Sequence, residues 1–166
     1  MSNKKIALMG IIAGATIAGR ILMAPLPNIQ PVTTILIFTA IYLGLMEALI
    51  IDFLVIFISN LYLGFGPWTI YQIISFAIIL IATSILKNFK KFRSSLLLQT
   101  TFSVLSGFIY GFIISLFTAA TFSKTGNFFI YYINGLYFDL FHALGNGALY
   151  FLLVPTLKKG LNRYFD

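Results

Sequence analysis

Cysteine is absent from the chain, which excludes disulfides, thiolate catalysis and cysteine-based metal sites. Charge is nearly as scarce: 4 acidic and 11 basic residues make up 9% of 166 positions. A soluble domain carries about 25% charged residues to hydrate its surface, so a water-facing globule of this composition is excluded. Histidine occurs once, at His142, with no HExxH helix or second histidine to complete a site, and no metal is expected. No serine sits in a nucleophile elbow, so an enzyme is not expected. No GxxxxGK[ST] loop is present, and a chain that drives transport must then take its energy from a partner or an ion gradient. There is no low-complexity tract, internal repeat or polar appendage, so residues 1–166 read as one domain.

What is present is apolar. Hydrophobic residues make up 60% of the chain and the mean hydropathy is +0.98. A membrane helix needs about 20 apolar residues, and the sequence divides into spans near 6–24, 32–44, 46–63, 70–86, 94–119 and from 128–134 to Pro155. Pro25, Pro27 and Pro31 forbid helix between the first two. Gly44 marks the break inside the long run from Val32 to Leu63, and Gly64 to Thr69 reads as a turn. The second span is short for a full crossing and needs shelter from its neighbours. The expected fold is an all-α integral membrane protein, a bundle of six transmembrane helices with both termini cytoplasmic.

The charges agree with that layout. Lys4, Lys5, Lys87, Lys90, Lys91, Arg93, Lys158, Lys159 and Arg163 all fall inside, leaving only Arg20 and Lys124 of the eleven basic residues outside. This is the positive-inside pattern. The net charge of +7 is thus explained by loops at the membrane, and nucleic acid is not an expected partner. Lys4 and Lys5 before an apolar run resemble a signal peptide, but Arg20 interrupts the run and no small-x-small cleavage site follows, so a retained first helix is expected. The expected location is the plasma membrane.

A charged group at bilayer depth costs about 2.5–3.5 kcal/mol on insertion scales, so each polar residue inside a span needs a partner, a wet cavity or a function. Asp139, His142, Asn146 and Tyr150 follow at spacings of three, four and four, which puts them on one helical face directed into the bundle. That face either lines a polar ligand site or glues helices together. Asn60 lies near the outer end of the third span, beside Ser59, and can join such a site. Glu47 and Asp52, nearer the inner end, read as partners of loop lysines or arginines. Arg20 either holds an anionic or carbonyl-bearing ligand or reaches the headgroups. Asn28, Gln30, Trp68, Tyr71, Gln72, Asn127, Tyr131, Tyr132, Asn134 and Tyr137 gather aromatic faces and amides at the outer loops. That combination suits a flat organic ligand, and equally an interfacial aromatic belt. Gly10, Gly14 and Ala18 form a small-residue stripe on which another helix can pack closely, within the bundle or from a separate subunit.

Three segments, Asn28-Ile29-Gln30-Pro31-Val32-Thr33, Gly64-Phe65-Gly66-Pro67-Trp68-Thr69-Ile70-Tyr71-Gln72 and Phe138-Asp139-Leu140-Phe141-His142-Ala143-Leu144-Gly145-Asn146, resemble the S-components of energy-coupling factor transporters. The resemblance covers nearly the whole chain. It implies a membrane subunit of an ABC-type importer that binds a water-soluble vitamin beneath outer loops near 25–31, 64–69 and 121–133. It further implies docking on a transmembrane coupling subunit with two cytoplasmic ATPases, which use ATP while the subunit topples in the bilayer. No cofactor is implied in this chain. The substrate-binding residues on this view are Arg20, Asn28, Gln30, Asn60, Trp68, Gln72, Tyr132, Asp139, His142 and Asn146. Docking falls to Gly10, Gly14 and Ala18, which depart from the family's A-x-x-x-A pattern. Nickel and cobalt members need an early histidine, and Ser2 stands there instead. Cobalamin is the favoured ligand, with pantothenate, B6 vitamers and pyrimidine precursors as alternatives. Two other classes compete: a self-sufficient channel or ion-coupled carrier, and a membrane-embedded enzyme using Asp139 and His142.

Overall fold

The structure is a computed structural model that describes residues 2–122 and 128–165. Lys124 and Asn127, expected in an outer loop, lie outside the described residues. Among those described there is helix and no strand. The helices are α1 (Asn3–Leu22), α2 (Val32–Tyr42), α3 (Leu45–Leu63), α4 (Pro67–Leu86), the single turn α5 (Lys90–Ser94), α6 (Leu96–Phe122) and α7 (Phe128–Phe165). Five of them, all but α2 and α5, are long and apolar enough to cross a membrane.

The shortest of the remaining apolar segments is the most enclosed. α2 has 11 residues, nine of them buried, and at 1.5 Å per residue it is only about 16 Å long. It packs against α1, α3, α4, α6 and α7, so its ends are covered by protein rather than lipid. That is the shelter a half-length segment requires. Gly44 separates it from α3 with φ of 135°, a conformation that glycine adopts without steric cost. Outward faces are correspondingly apolar: Leu22 is 79% and Leu97 72% exposed, as suits side chains whose solvent is hydrocarbon.

Three sequence-based boundaries shift. The segment expected as a turn through Thr69 is helical from Pro67, because proline is pre-set for the first helical turn and its missing N–H is not needed there. The basic loop after Leu86 contains α5. The last helix does not end near Pro155 but continues to Phe165. Pro155 removes one intrahelical hydrogen bond, yet contacts beyond it hold the extension. Lys158 Nζ lies 5.6 Å from the Tyr42 ring centre, and the Tyr164 hydroxyl donates to the Lys4 carbonyl at 2.9 Å. At 38 residues α7 is about 57 Å long, well beyond the roughly 30 Å of a hydrocarbon core.

The Tyr164–Lys4 bond also places both termini at one end of the bundle. The other basic residues collect there: Lys5 Nζ bonds the Leu43 carbonyl and Glu47, and Lys87 Nζ bonds the Ala40 carbonyl. Lys90 and Arg93 line a cavity with Ile41 to Gly44. Among the described basic residues, Arg20 alone lies toward the opposite end, at the last turn of α1.

Candidate functional site

Arg20 sits one turn from the C-terminus of α1, where the exposed carbonyls favour a cation, and it is 5% exposed. Its guanidinium is used in three directions. Nε donates to Gln30 Oε1 at 3.1 Å, one terminal nitrogen to Ser59 Oγ, and the other to Gln72 Oε1 at 3.3 Å. Asn60 Nδ2 donates to the same Gln72 oxygen at 2.8 Å and to Thr69 Oγ1 at 2.9 Å. Four elements therefore meet on one buried cation: the end of α1, the loop before α2, the end of α3 and the start of α4. Tyr110 of α6 and Asp52 of α3 lie close enough to feel the Arg20 charge.

Tyr110 links this group to α7. Its ring meets the His142 ring edge to face at 4.9 Å, and His142 Nε2 is 2.8 Å from Thr33 Oγ1 on α2. One turn toward the opposite end, Asp139 packs on Gly111, where any β-carbon would fall on the carboxylate. Two glycines, Gly107 and Gly111, let α7 approach α6 closely. Those two helices pack along each other more extensively than any other pair.

The face read from the sequence as either a ligand lining or interhelical glue divides in two. Asp139 and His142 turn toward Tyr110 and α2. Deeper in the bundle, Asn146 is an interhelical staple: its Nδ2 donates to the Ser103 carbonyl at 3.3 Å, and its own carbonyl receives Thr34 and Ser103 hydroxyls. Tyr150 donates to Gln99 Oε1 at 3.0 Å. Asn146 thus belongs to the gluing alternative, because polar side chains of α6 face it directly.

The remaining sequence candidates separate in the same way. Arg20, Gln30, Asn60 and Gln72 come together. Asn28 does not enter the cluster; it takes φ of 56° and donates to the Phe138 carbonyl at 3.1 Å, tying the first loop to α7. Trp68 is 45% exposed and donates to the Gly64 carbonyl at 3.2 Å, closing the turn before α4. Tyr132 stacks on Phe128 at 5.5 Å and meets Phe112 edge on. Both are aromatic groups at the bundle's rim, as the belt reading has it. Asp52 is buried, yet among the described residues neither carboxylate oxygen has a hydrogen-bond partner. It is not paired with a loop cation; only Glu47 has a basic partner, Lys5, and that is on α1. Gly10 and Gly14 face open space and Ala18 is exposed, since α1 turns Met9, Ala13, Thr16 and Arg20 inward instead.

Tyr110 is a member of this polar group not singled out from the sequence, while Ser59, Thr33 and Thr69 enter that reading only as a neighbour of Asn60 or as letters of a motif. On α6 the signal was available: Gln99, Ser103, Ser106, Gly107, Tyr110 and Gly111 form a small and polar face at helical spacing.

Among the described residues, six buried side-chain atoms lack a hydrogen-bond partner: both Asp52 oxygens, Asp139 Oδ2, His142 Nδ1, Asn146 Oδ1 and Thr100 Oγ1. Native proteins leave few such groups, and each calls for an explanation by water, ion or ligand. Asp139 Oδ2 and His142 Nδ1 lie on the α7 face that meets α6 and α2, and Asn146 Oδ1 lies deeper on the same helix. No group of three or more histidine, cysteine or acidic residues able to hold a metal occurs among the described residues. Comparison of the chain with protein-family models, curated proteins and solved structures finds no match.

Proposed function

We propose that this chain is a membrane substrate-capture subunit of the S-component kind, binding a water-soluble vitamin or precursor in the polar core around Arg20. The buried Arg20 guanidinium, on which Gln30, Ser59 and Gln72 converge from three different elements, carries this reading. The plasma membrane is the proposed location, with six crossings and the basic end cytoplasmic, as the positive-inside distribution favours. On that orientation the polar core lies in the outer half of the bundle, where a solute from outside would arrive. ATP enters through a partner, a transmembrane coupling subunit with two ATPases, and the exposed Gly10–Gly14–Ala18 stripe is the proposed docking face.

The same geometry favours a ligand of pantothenate, pyridine or pyrimidine size over cobalamin. Arg20, Gln30, Asn60 and Gln72 are joined by direct hydrogen bonds, a spacing too short to surround a corrin. A carboxylate or ring carbonyl would take the guanidinium from the two glutamine oxygens, gaining a charge-assisted contact.

Reconstitution tests the division of labour. The chain alone in liposomes is expected to bind its vitamin and move none, with uptake appearing only when the coupling subunit and ATPases are added with ATP. Uptake by the chain alone would overturn the capture role in favour of a carrier. For the site, Asp139→Asn is expected to weaken binding by at least about tenfold, the cost of one lost hydrogen bond to a charged group, with the melting temperature preserved. Unchanged affinity would remove α7 from the ligand contacts.

A further inference from the structure

The basic end of the bundle holds a second site, of different chemistry. A cavity of about 470 Å³ opens between the α2–α3 break and the α4–α6 connection, lined by Tyr42, Leu43, Lys87, Asn88, Lys90 and Arg93 among others. Three cations and an amide face it, and no acidic residue lines it. The nearest acid in sequence, Glu47, is engaged by Lys5.

Helix capping accounts for only part of this charge. The last carbonyls of α2 point toward this end and attract cations, and Lys87 answers them by donating to Ala40 at 2.9 Å. Lys90 and Arg93 are exposed and make no ion pair among the described residues. They stand on α5, a turn that projects them over the cavity mouth while Phe92 anchors it inward. Gln99 fixes α5 further by donating to the Phe92 and Arg93 carbonyls at 3.1 and 3.0 Å. Phe89, 61% exposed beside the cavity, offers an apolar contact at the level where hydrocarbon meets headgroups.

We propose that this cavity binds a phosphate-bearing anion, held by Lys87, Lys90 and Arg93, and that its source is the headgroup of an acidic phospholipid. Lysine and arginine donors converging on an enclosed space suit phosphate oxygens, and basic pockets between helices at the membrane surface bind such headgroups. The lipid would brace α5 against the α2–α3 break.

The test uses the full chain in detergent, titrated with phosphatidylglycerol, phosphatidylcholine or inorganic phosphate, and read by native mass spectrometry and melting temperature. Wild type is expected to retain phosphatidylglycerol over phosphatidylcholine. Lys90→Gln with Arg93→Gln is expected to lose that retention by at least about tenfold, since each charge-assisted contact is worth about that much. Lys159→Gln with Arg163→Gln, equal in charge and exposed at the same end, is expected to lose no more than about twofold through screened attraction. Among the described residues neither pair makes a side-chain hydrogen bond or ion pair, and all four side chains are exposed, so both variants should fold. Inorganic phosphate raising the melting temperature of wild type but not of the cavity variant would support the site with a soluble ligand. Equal losses in the two pairs, or no preference for the acidic lipid together with no response to phosphate, would overturn the proposal.

Discussion

Arg20→Met is expected to cost the bundle about 3–5 kcal/mol, the range for breaking a buried charged network by removing one partner. The substitution keeps side-chain length and removes the cation on which Gln30, Ser59 and Gln72 converge. Two half-buried amide oxygens lose a charged donor, and Asp52, whose oxygens have no hydrogen-bond partner among the described residues, loses the nearby positive charge. Arg20→Lys keeps the charge but has no planar fork to reach three acceptors, so it should fall between. Adding Asp52→Leu to Arg20→Met should recover part of the loss, because the acid then no longer needs a counter-charge. Melting in detergent reads all four proteins. A variant lacking Arg20 that melts with wild type would show that the cluster contributes nothing to the fold.

Gly107→Val is expected to cost about 2–3 kcal/mol through overpacking. A β-carbon at Gly107 would lie 2.6 Å from the Ala143 nitrogen and 2.7 Å from its Cα, and backbone has no rotamer into which to retreat. α7 must then move away from α6, carrying His142 off Thr33 and Tyr110. Gly111→Ala is a different case, since its β-carbon meets the Asp139 side chain, which can rotate. That variant should melt close to wild type yet disturb ligand binding. Gly10→Ala and Gly14→Ala are the controls: both positions open onto free space, and alanine is the better helix former by about 1 kcal/mol. Equal melting shifts for Gly107 and Gly14 variants would refute the close packing of α6 on α7.

The helical architecture was legible because composition and span length are properties of the chain taken one segment at a time. The break at Gly44 followed from glycine beside acidic residues in an apolar run too long for one span. The inward direction of Asp139, His142, Asn146 and Tyr150 followed from helical spacing alone, and all four are buried. Partners were a different matter. Whether Asn146 meets a ligand or Ser103 depends on which face of α6 opposes it, and periodicity within one helix carries no such information. Trp68 and Tyr132 have the same composition signature whether they line a site or the rim. The passage of α7 through Pro155 was illegible for a related reason: a proline's local cost is offset by contacts of Lys158 with Tyr42 and Tyr164 with Lys4, which are distant in sequence.

The proposed capture role requires the polar side chains around Arg20, at the end of the bundle opposite the basic cluster, to receive a solute. Calorimetric titration of the purified chain, without partners, against a panel of water-soluble vitamins addresses this most directly. One compound is expected to bind at one molecule per chain, with pantothenate, pyridine and pyrimidine vitamers ahead of cobalamin, and with the heat lost in Arg20→Lys. A panel giving no saturable heat with the folded wild type, or a ligand whose affinity ignores Arg20 and Asp139 alike, would contradict it.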